Sequence, residues 1–171
     1  VLAAGLALSV LSPAGIANAS SQPSVKEMLS KKFLAKAEWA LRHHKHLSQP
    51  QRAAIAVHFA YQHIGDMYQW GGNGPHRWDC SGFVDGAWRA AGIHLPRISY
   101  EIYNAHYKHV SYRNLRPGDV LEFYSGMSHV GIYVGYGYMI QASHSGAPVA
   151  KARLAGYYHS NFSGAIRPGV R

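Results

Sequence analysis

The spacing of apolar residues changes once along this chain, and that change limits the fold more than any other feature. As far as about His106 they recur at helical intervals; beyond Val110 they fall into short β-type runs. Helical intervals gather side chains on one face of a helix, whereas alternation assigns them to the two faces of a strand. Helices first and strands after predict an α+β domain with an antiparallel sheet. A length of 171 residues suits one such domain plus a short extension. Twelve Tyr and 18 Gly agree with strands and tight turns rather than a purely helical bundle.

Local signals set the expected boundaries. Ser24-Val-Lys-Glu27 has capping-box spacing, and a helical pattern runs from it to about Leu47, with Lys on the outer side. Ser48-Gln-Pro-Gln51 is a second such box, opening a helix over Arg52–Ile64 that Gly65 stops. A loop containing Gly71, Gly72 and Gly74 leads into a third helix, about Cys80–Ala91, with Asp79 as N-cap and Gly92 as stop. A helical turn is expected over Ser99–His106. Val120–Phe123 reads as a strand, His129–Val134 and Tyr138–Ala142 as a hairpin about Gly135-Tyr-Gly137, and Ile166 belongs to a last strand.

Residues 1–19 carry no charge and end Ala17-Asn18-Ala19, small residues at the positions a signal peptidase accepts. They read as a secretory signal peptide cleaved after Ala19, without its starting Met and basic region. Residues 20–47 then form a helical extension and residues 48–171 the main domain. The formal net charge of +9 survives cleavage, because the first charged residue is Lys26. Such a surface attracts nucleic acid or the anionic polymers of a bacterial wall, and an export signal selects the wall.

The chain has one cysteine, so in a secreted protein Cys80 cannot be half of an internal disulfide. It is either a small buried hydrophobe or a reactive thiol. Its place, after a Gly-rich loop at a predicted helix start, favours reactivity. Backbone N–H groups and the helix dipole there lower a thiol's pKa towards the thiolate and can hold an oxyanion. Of twelve His, His43, His44 and His46 crowd the end of a basic helix, where cations suit the dipole, and no carboxylate or Cys lies nearby in sequence to make a metal site with them. His129 instead begins an alternating strand, and Gln141 occupies the returning one. As cross-strand or diagonal neighbours they would lie about 4.5–8 Å apart, within reach of an amide oxygen accepting the imidazole N–H. A paired core His beside a surface Gln fits the spacing equally well.

Five segments carry a resemblance: Tyr68-Gln-Trp-Gly-Gly72, Asp79-Cys-Ser-Gly-Phe-Val84, Gly92-Ile-His-Leu-Pro-Arg97, Leu115-Arg-Pro-Gly-Asp119 and His129-Val-Gly-Ile-Tyr-Val-Gly135. In this order they resemble the NlpC family of papain-like cell-wall peptidases, over about Ala54 to Pro168. The resemblance implies a papain-like core in which the cysteine helix packs on the antiparallel sheet. It implies Cys80 as nucleophile, His129 as base and Gln141 as the residue that orients it. Tyr68 would line the oxyanion site, and Asp79 and Ser81 would help hold the peptide stem. The substrate class implied is the peptidoglycan stem peptide, cut at the γ-D-glutamyl bond to a diamino acid.

A thiol–imidazole pair supplies this chemistry itself, so neither metal nor organic cofactor is called for. The expected protein is a secreted, wall-associated monomer that meets stem peptides and anionic wall polymers and no nucleic acid. Other readings on the same fold are a peptidoglycan amidase, a toxin aimed at rival bacteria, and a non-catalytic wall binder. Amidases carry a different cysteine context, and a binder has no need of Tyr68, Cys80, His129 and Gln141 together. His144 is the rival third residue, although alternation would put it on the opposite face.

Overall fold

In the computed structural model the described residues are 23–43 and 46–170, so the leader expected at 1–19 lies outside them. Ser24 caps α1 (Val25–Met28) through a capping box with Glu27. The single helix expected to run to Leu47 is broken at Leu29, because the Ser30 hydroxyl accepts the Phe33 N–H and starts a second helix, α2 (Lys31–Arg42). A competing N-cap outweighs continued periodicity there. In α3 (Gln49–Gln62), Gln51 Oε1 accepts both the backbone N–H and the hydroxyl of Ser48 at 2.9 Å. Met28, Leu34, Ala37 and Ala40 share one apolar cluster with the alanine-rich inner face of α3, so the extension completes the core.

A short parallel pair, β1 (Met67–Tyr68) and β2 (Arg77–Trp78), then brackets the Gly-rich loop. It was not foreseen, since two-residue strands leave no periodicity. α4 (Cys80–Ala90) follows at once, and α5 (Ser99–Asn104) stops two residues short of the expected turn.

The sheet comprises β3 (Lys108–His109), β4 (Val120–Phe123), β5 (His129–Gly135), β6 (Tyr138–Gln141), β7 (Ala150–Arg153) and β8 (Phe162–Arg167). All its pairings are antiparallel, in the order β3-β8-β4-β5-β6-β7. The hairpin turns at Tyr136 and Gly137, both at positive φ (54° and 74°), which matches the twist of the strands. The mostly exposed β7 has no alternating apolar pattern, which is why it escaped the sequence. Between β7 and β8 lies one turn of helix, α6 (Tyr157–Ser160).

Two apolar layers sandwich the sheet. Val120, Val130, Ile132, Ile140 and Ile166 face α3 and α4, while Leu121, Phe123, Met139 and Ala165 form the smaller layer behind. At the start of β4, Asp119 accepts from Arg167 Nε and Nη2, both at 2.8 Å, and from the Arg116 N–H, which ties β4 to its neighbour β8. The architecture is the expected α+β one, with the cysteine helix laid on the sheet at the strand ends where β5 begins.

Candidate active site

The segment before Cys80 is anchored from below. Trp78 is buried against Phe59, His63 and Phe83, and its indole N–H donates to Asp66 at 2.9 Å. Asp79 then caps α4, its Oδ1 accepting the Gly82 N–H at 2.8 Å. A Cβ at position 82 would run into the Gly72 carbonyl oxygen, so only glycine lets the loop sit on the helix's first turn. Arg97 closes this corner. It donates to both Asp79 oxygens at 3.0 and 2.6 Å, to Ser81 Oγ at 2.8 Å and to the Gly72 carbonyl at 3.4 Å. Asp79 and Ser81, named from sequence as substrate contacts, therefore already engage Arg97, a residue to which the sequence reading assigned no part.

Cys80 is thereby the first residue of α4, half-buried, and it lines a cleft of about 690 Å³ together with His129 and Tyr68. Burial pushes its thiol up, and hydrogen bonding from the Val130 and Ser81 backbone only partly offsets this. The expected fall towards a resting thiolate is thus corrected: desolvation at this depth outweighs the helix N-terminus. Burial also pushes His129 down, against the pull of Gln141. Burial thus favours the neutral form of each partner, a thiol beside an imidazole.

His129 Nε2 lies 2.5 Å from Gln141 Oε1. The β5–β6 register pairs Ile132 with Ile140, so Gln141 stands diagonally from His129 with Gly131 between them. A Cβ on Gly131 would come within 3.0 Å of the Met139 sulfur and 3.3 Å of the Ile140 carbonyl oxygen, so a side chain there would crowd β6. With its amide oxygen towards the ring, Gln141 accepts the Nε2–H and leaves Nδ1 free to take a proton. On its other side the amide nitrogen donates to the Tyr158 hydroxyl. His144 also lines the cleft, because β6 has ended before it and alternation no longer applies, but its Nδ1 bonds the Ser145 carbonyl at 2.9 Å.

Sequence reasoning missed Arg97, Tyr158 and the cleft tyrosines Tyr124 and Tyr157. Arg97 ends a segment already quoted for its resemblance, which was a usable signal. Tyr158 sits in a short helix with no pattern of its own. Among the described residues no group of three His, Cys, Asp or Glu is placed to hold a metal ion, and no helix is long and apolar enough to cross a membrane.

The chain is similar to several known proteins. A Listeria innocua protein named "Probable endopeptidase p60" is 44% identical over 100 residues, which is 57% of this chain and 21% of the relative. The chain thus spans about a fifth of that relative's length. The P60 domain of a Mycobacterium avium subspecies paratuberculosis antigen superposes with a TM-score of 0.63 at 26% identity, covering 71% of this chain and 97% of that one. The NlpC/p60 domain of the peptidoglycan hydrolase SagA gives 0.60 at 27% identity, covering 67% and 97%. Residues 65–167 match the NlpC/P60 family, and the chain belongs to it.

Proposed function

We propose that this chain is a secreted cysteine endopeptidase that hydrolyses peptide bonds in peptidoglycan stem peptides, at the γ-D-glutamyl–diamino acid bond. The observation that carries the reading is the shared cleft of Cys80 and His129, with the imidazole held by Gln141. The matched relatives support it: one is named an endopeptidase and another a peptidoglycan hydrolase.

In this mechanism His129 Nδ1 takes the thiol proton as the Cys80 sulfur attacks the scissile carbonyl carbon. The oxyanion forms beside the first N–H groups of α4 and the Tyr68 hydroxyl. Its collapse breaks the C–N bond, and the leaving amine receives the proton from His129. Water, deprotonated by the same imidazole, then hydrolyses the thioester, releasing the new carboxyl terminus and restoring the thiol. The Asp79–Ser81–Arg97 corner offers the stem peptide a fixed pattern of donors and acceptors next to the nucleophile. The net charge of +9 brings the enzyme, as a monomer, to anionic wall polymers.

Digestion of defined disaccharide tripeptides and tetrapeptides, read by product mass, tests the reading with Cys80→Ala alongside. Cleavage between D-glutamate and the diamino acid by the parent chain alone is the expected result. Release of the intact peptide from its sugar would mark an amidase, and no cleavage by the folded parent would mark a binder.

A further inference from the structure

The chain carries a net charge of +9, yet among the described residues the cleft around Cys80 is lined by no Asp, Glu, Lys or Arg. Its wall is built instead from five aromatic side chains, Tyr68, Trp70, Tyr124, Tyr157 and Tyr158, interspersed with serines and two histidines. A carboxylate or ammonium desolvated against such a wall would lack a charged partner, at a cost no neutral group incurs. Aromatic faces ringed by hydroxyls suit an uncharged ligand that has apolar C–H faces and many hydroxyl or amide groups. That description fits a pyranose ring bearing an acetamido group.

One side of the cleft is shaped for this more than the other. Tyr157 is 64% exposed and stands edge-on to Tyr158, ring centroids 5.6 Å apart, with the tilted ring of Tyr124 6.1 Å away. An aromatic ring left this open at a cleft mouth contributes little to the core and presents a face to whatever enters. Tyr124 is held at φ 67°, a conformation costly for a bulky side chain. Three bonds keep it there: its N–H donates to the Asn161 carbonyl at 2.9 Å, and its own carbonyl accepts from Ser163 Oγ at 2.8 Å and the Met127 N–H at 3.0 Å. In that position its ring lies 6.1 Å from that of Tyr157, so the strained residue backs the exposed one.

We infer that Tyr124, Tyr157 and Tyr158 form a carbohydrate-stacking subsite, so that the cleft takes stem peptides still joined to an N-acetylated amino sugar. The sugar packs on the open face of Tyr157 while the peptide runs past Cys80 towards Arg97. This rests on reading the cleft as a peptidoglycan peptidase site. It goes further in assigning the enzyme a preference for glycan-linked over free stems.

The test compares kcat/KM for one stem peptide with and without its disaccharide. The parent chain is expected to favour the sugar-linked form by about tenfold or more, a factor worth about 1.4 kcal/mol. Tyr157→Ala should bring the ratio close to one, and Tyr157→Phe, which keeps the ring, should retain it. Equal kcat/KM for both substrates in the parent, or an undiminished ratio in Tyr157→Ala, overturns the inference. A parent that cleaves neither substrate sinks the peptidase reading, and the subsite is then judged separately. Chitotetraose is titrated into Cys80→Ala protein and followed by NMR. Shifts at the tyrosines that vanish with Tyr157→Ala uphold it, and no binding overturns it.

Discussion

His129 Nε2 and Gln141 Oε1 meet at 2.5 Å across a hairpin, twelve residues apart in the chain and diagonal in the sheet. The contact exists because the turn at Tyr136 and Gly137 and the register shift between Tyr133 and Gly135 together set Gln141 opposite Gly131, on the face that carries His129. A neutral amide orients the imidazole without adding charge to it, and this distinguishes its expected behaviour from that of a carboxylate.

Gln141→Ala should lower turnover by about tenfold to a thousandfold, less than the roughly 10⁴ cost of a wrong tautomer in a serine triad. Gln141→Glu keeps an acceptor and adds a negative charge, which favours the protonated form of each member of the thiol–imidazole pair. Both limbs of the pH–rate profile should therefore move to higher pH. An unmoved profile, or His144→Ala proving more damaging than Gln141→Ala, would remove Gln141 from its role.

Burial raises the Cys80 thiol, so alkylation by iodoacetamide should be slow at neutral pH and accelerate as the solution is made alkaline. Cys80→Ser and Cys80→Ala should both abolish hydrolysis with the fold intact. Rapid labelling at pH 6 would show a thiolate–imidazolium pair at rest instead.

Glu122, on β4, is wholly buried and neither carboxyl oxygen has a hydrogen-bond partner; desolvation pushes its pKa up to about 9. The folded pKa lies above the unfolded one. Its contribution to stability is therefore complete below about pH 4.5 and is lost as pH rises through about 9. In urea unfolding from pH 6 to 9.5, the parent should lose stability more steeply than Glu122→Gln. Parallel curves would show that the side chain is not protonated in the fold.

Removing residues 1–43 should destabilise the protein without speeding cleavage, because α1 and α2 pack into the core and contribute nothing to the cleft lining. Leu34→Ala alone should cost about 2–5 kcal/mol in denaturant unfolding. Faster cleavage by the truncated chain would instead show that the segment inhibits the enzyme.

Binding to intact walls should weaken as salt rises, since at 0.1 M screening already acts over about 10 Å. Lys32, Lys36 and Arg42 are exposed along α2, and reversing their charge should reduce sedimentation with walls. Binding indifferent to salt would rule out an electrostatic origin.

Much of this molecule was legible from local pattern. The caps at Ser24 and Asp79, the boundaries of α4, the strand Val120–Phe123 and the turn at Tyr136 each depend on a few consecutive residues. Backbone preference and one or two short-range bonds settle such choices, and the sequence records them directly. The pairing of His129 with Gln141 was one of two readings the spacing allowed, and the register shift between Tyr133 and Gly135, which the turn residues alone do not set, decided it. The break at Ser30 and the strands β1, β2 and β7 were not legible, since competing or very short signals are resolved by what the chain packs against.

What tertiary structure alone decided is the environment of each group. Arg97 reaches Asp79 from 18 residues away, Tyr158 reaches Gln141 from 17, and neither distance leaves a periodic trace. The protonation of Cys80 and Glu122 depends on how much solvent the folded chain excludes around them, a property of the whole packing rather than of neighbouring residues. The sequence by itself determined which residues could do chemistry and which elements carry them. The packing of α4 on the sheet decided their protonation and partners, because desolvation and long-range hydrogen bonds arise only when distant segments close on one another.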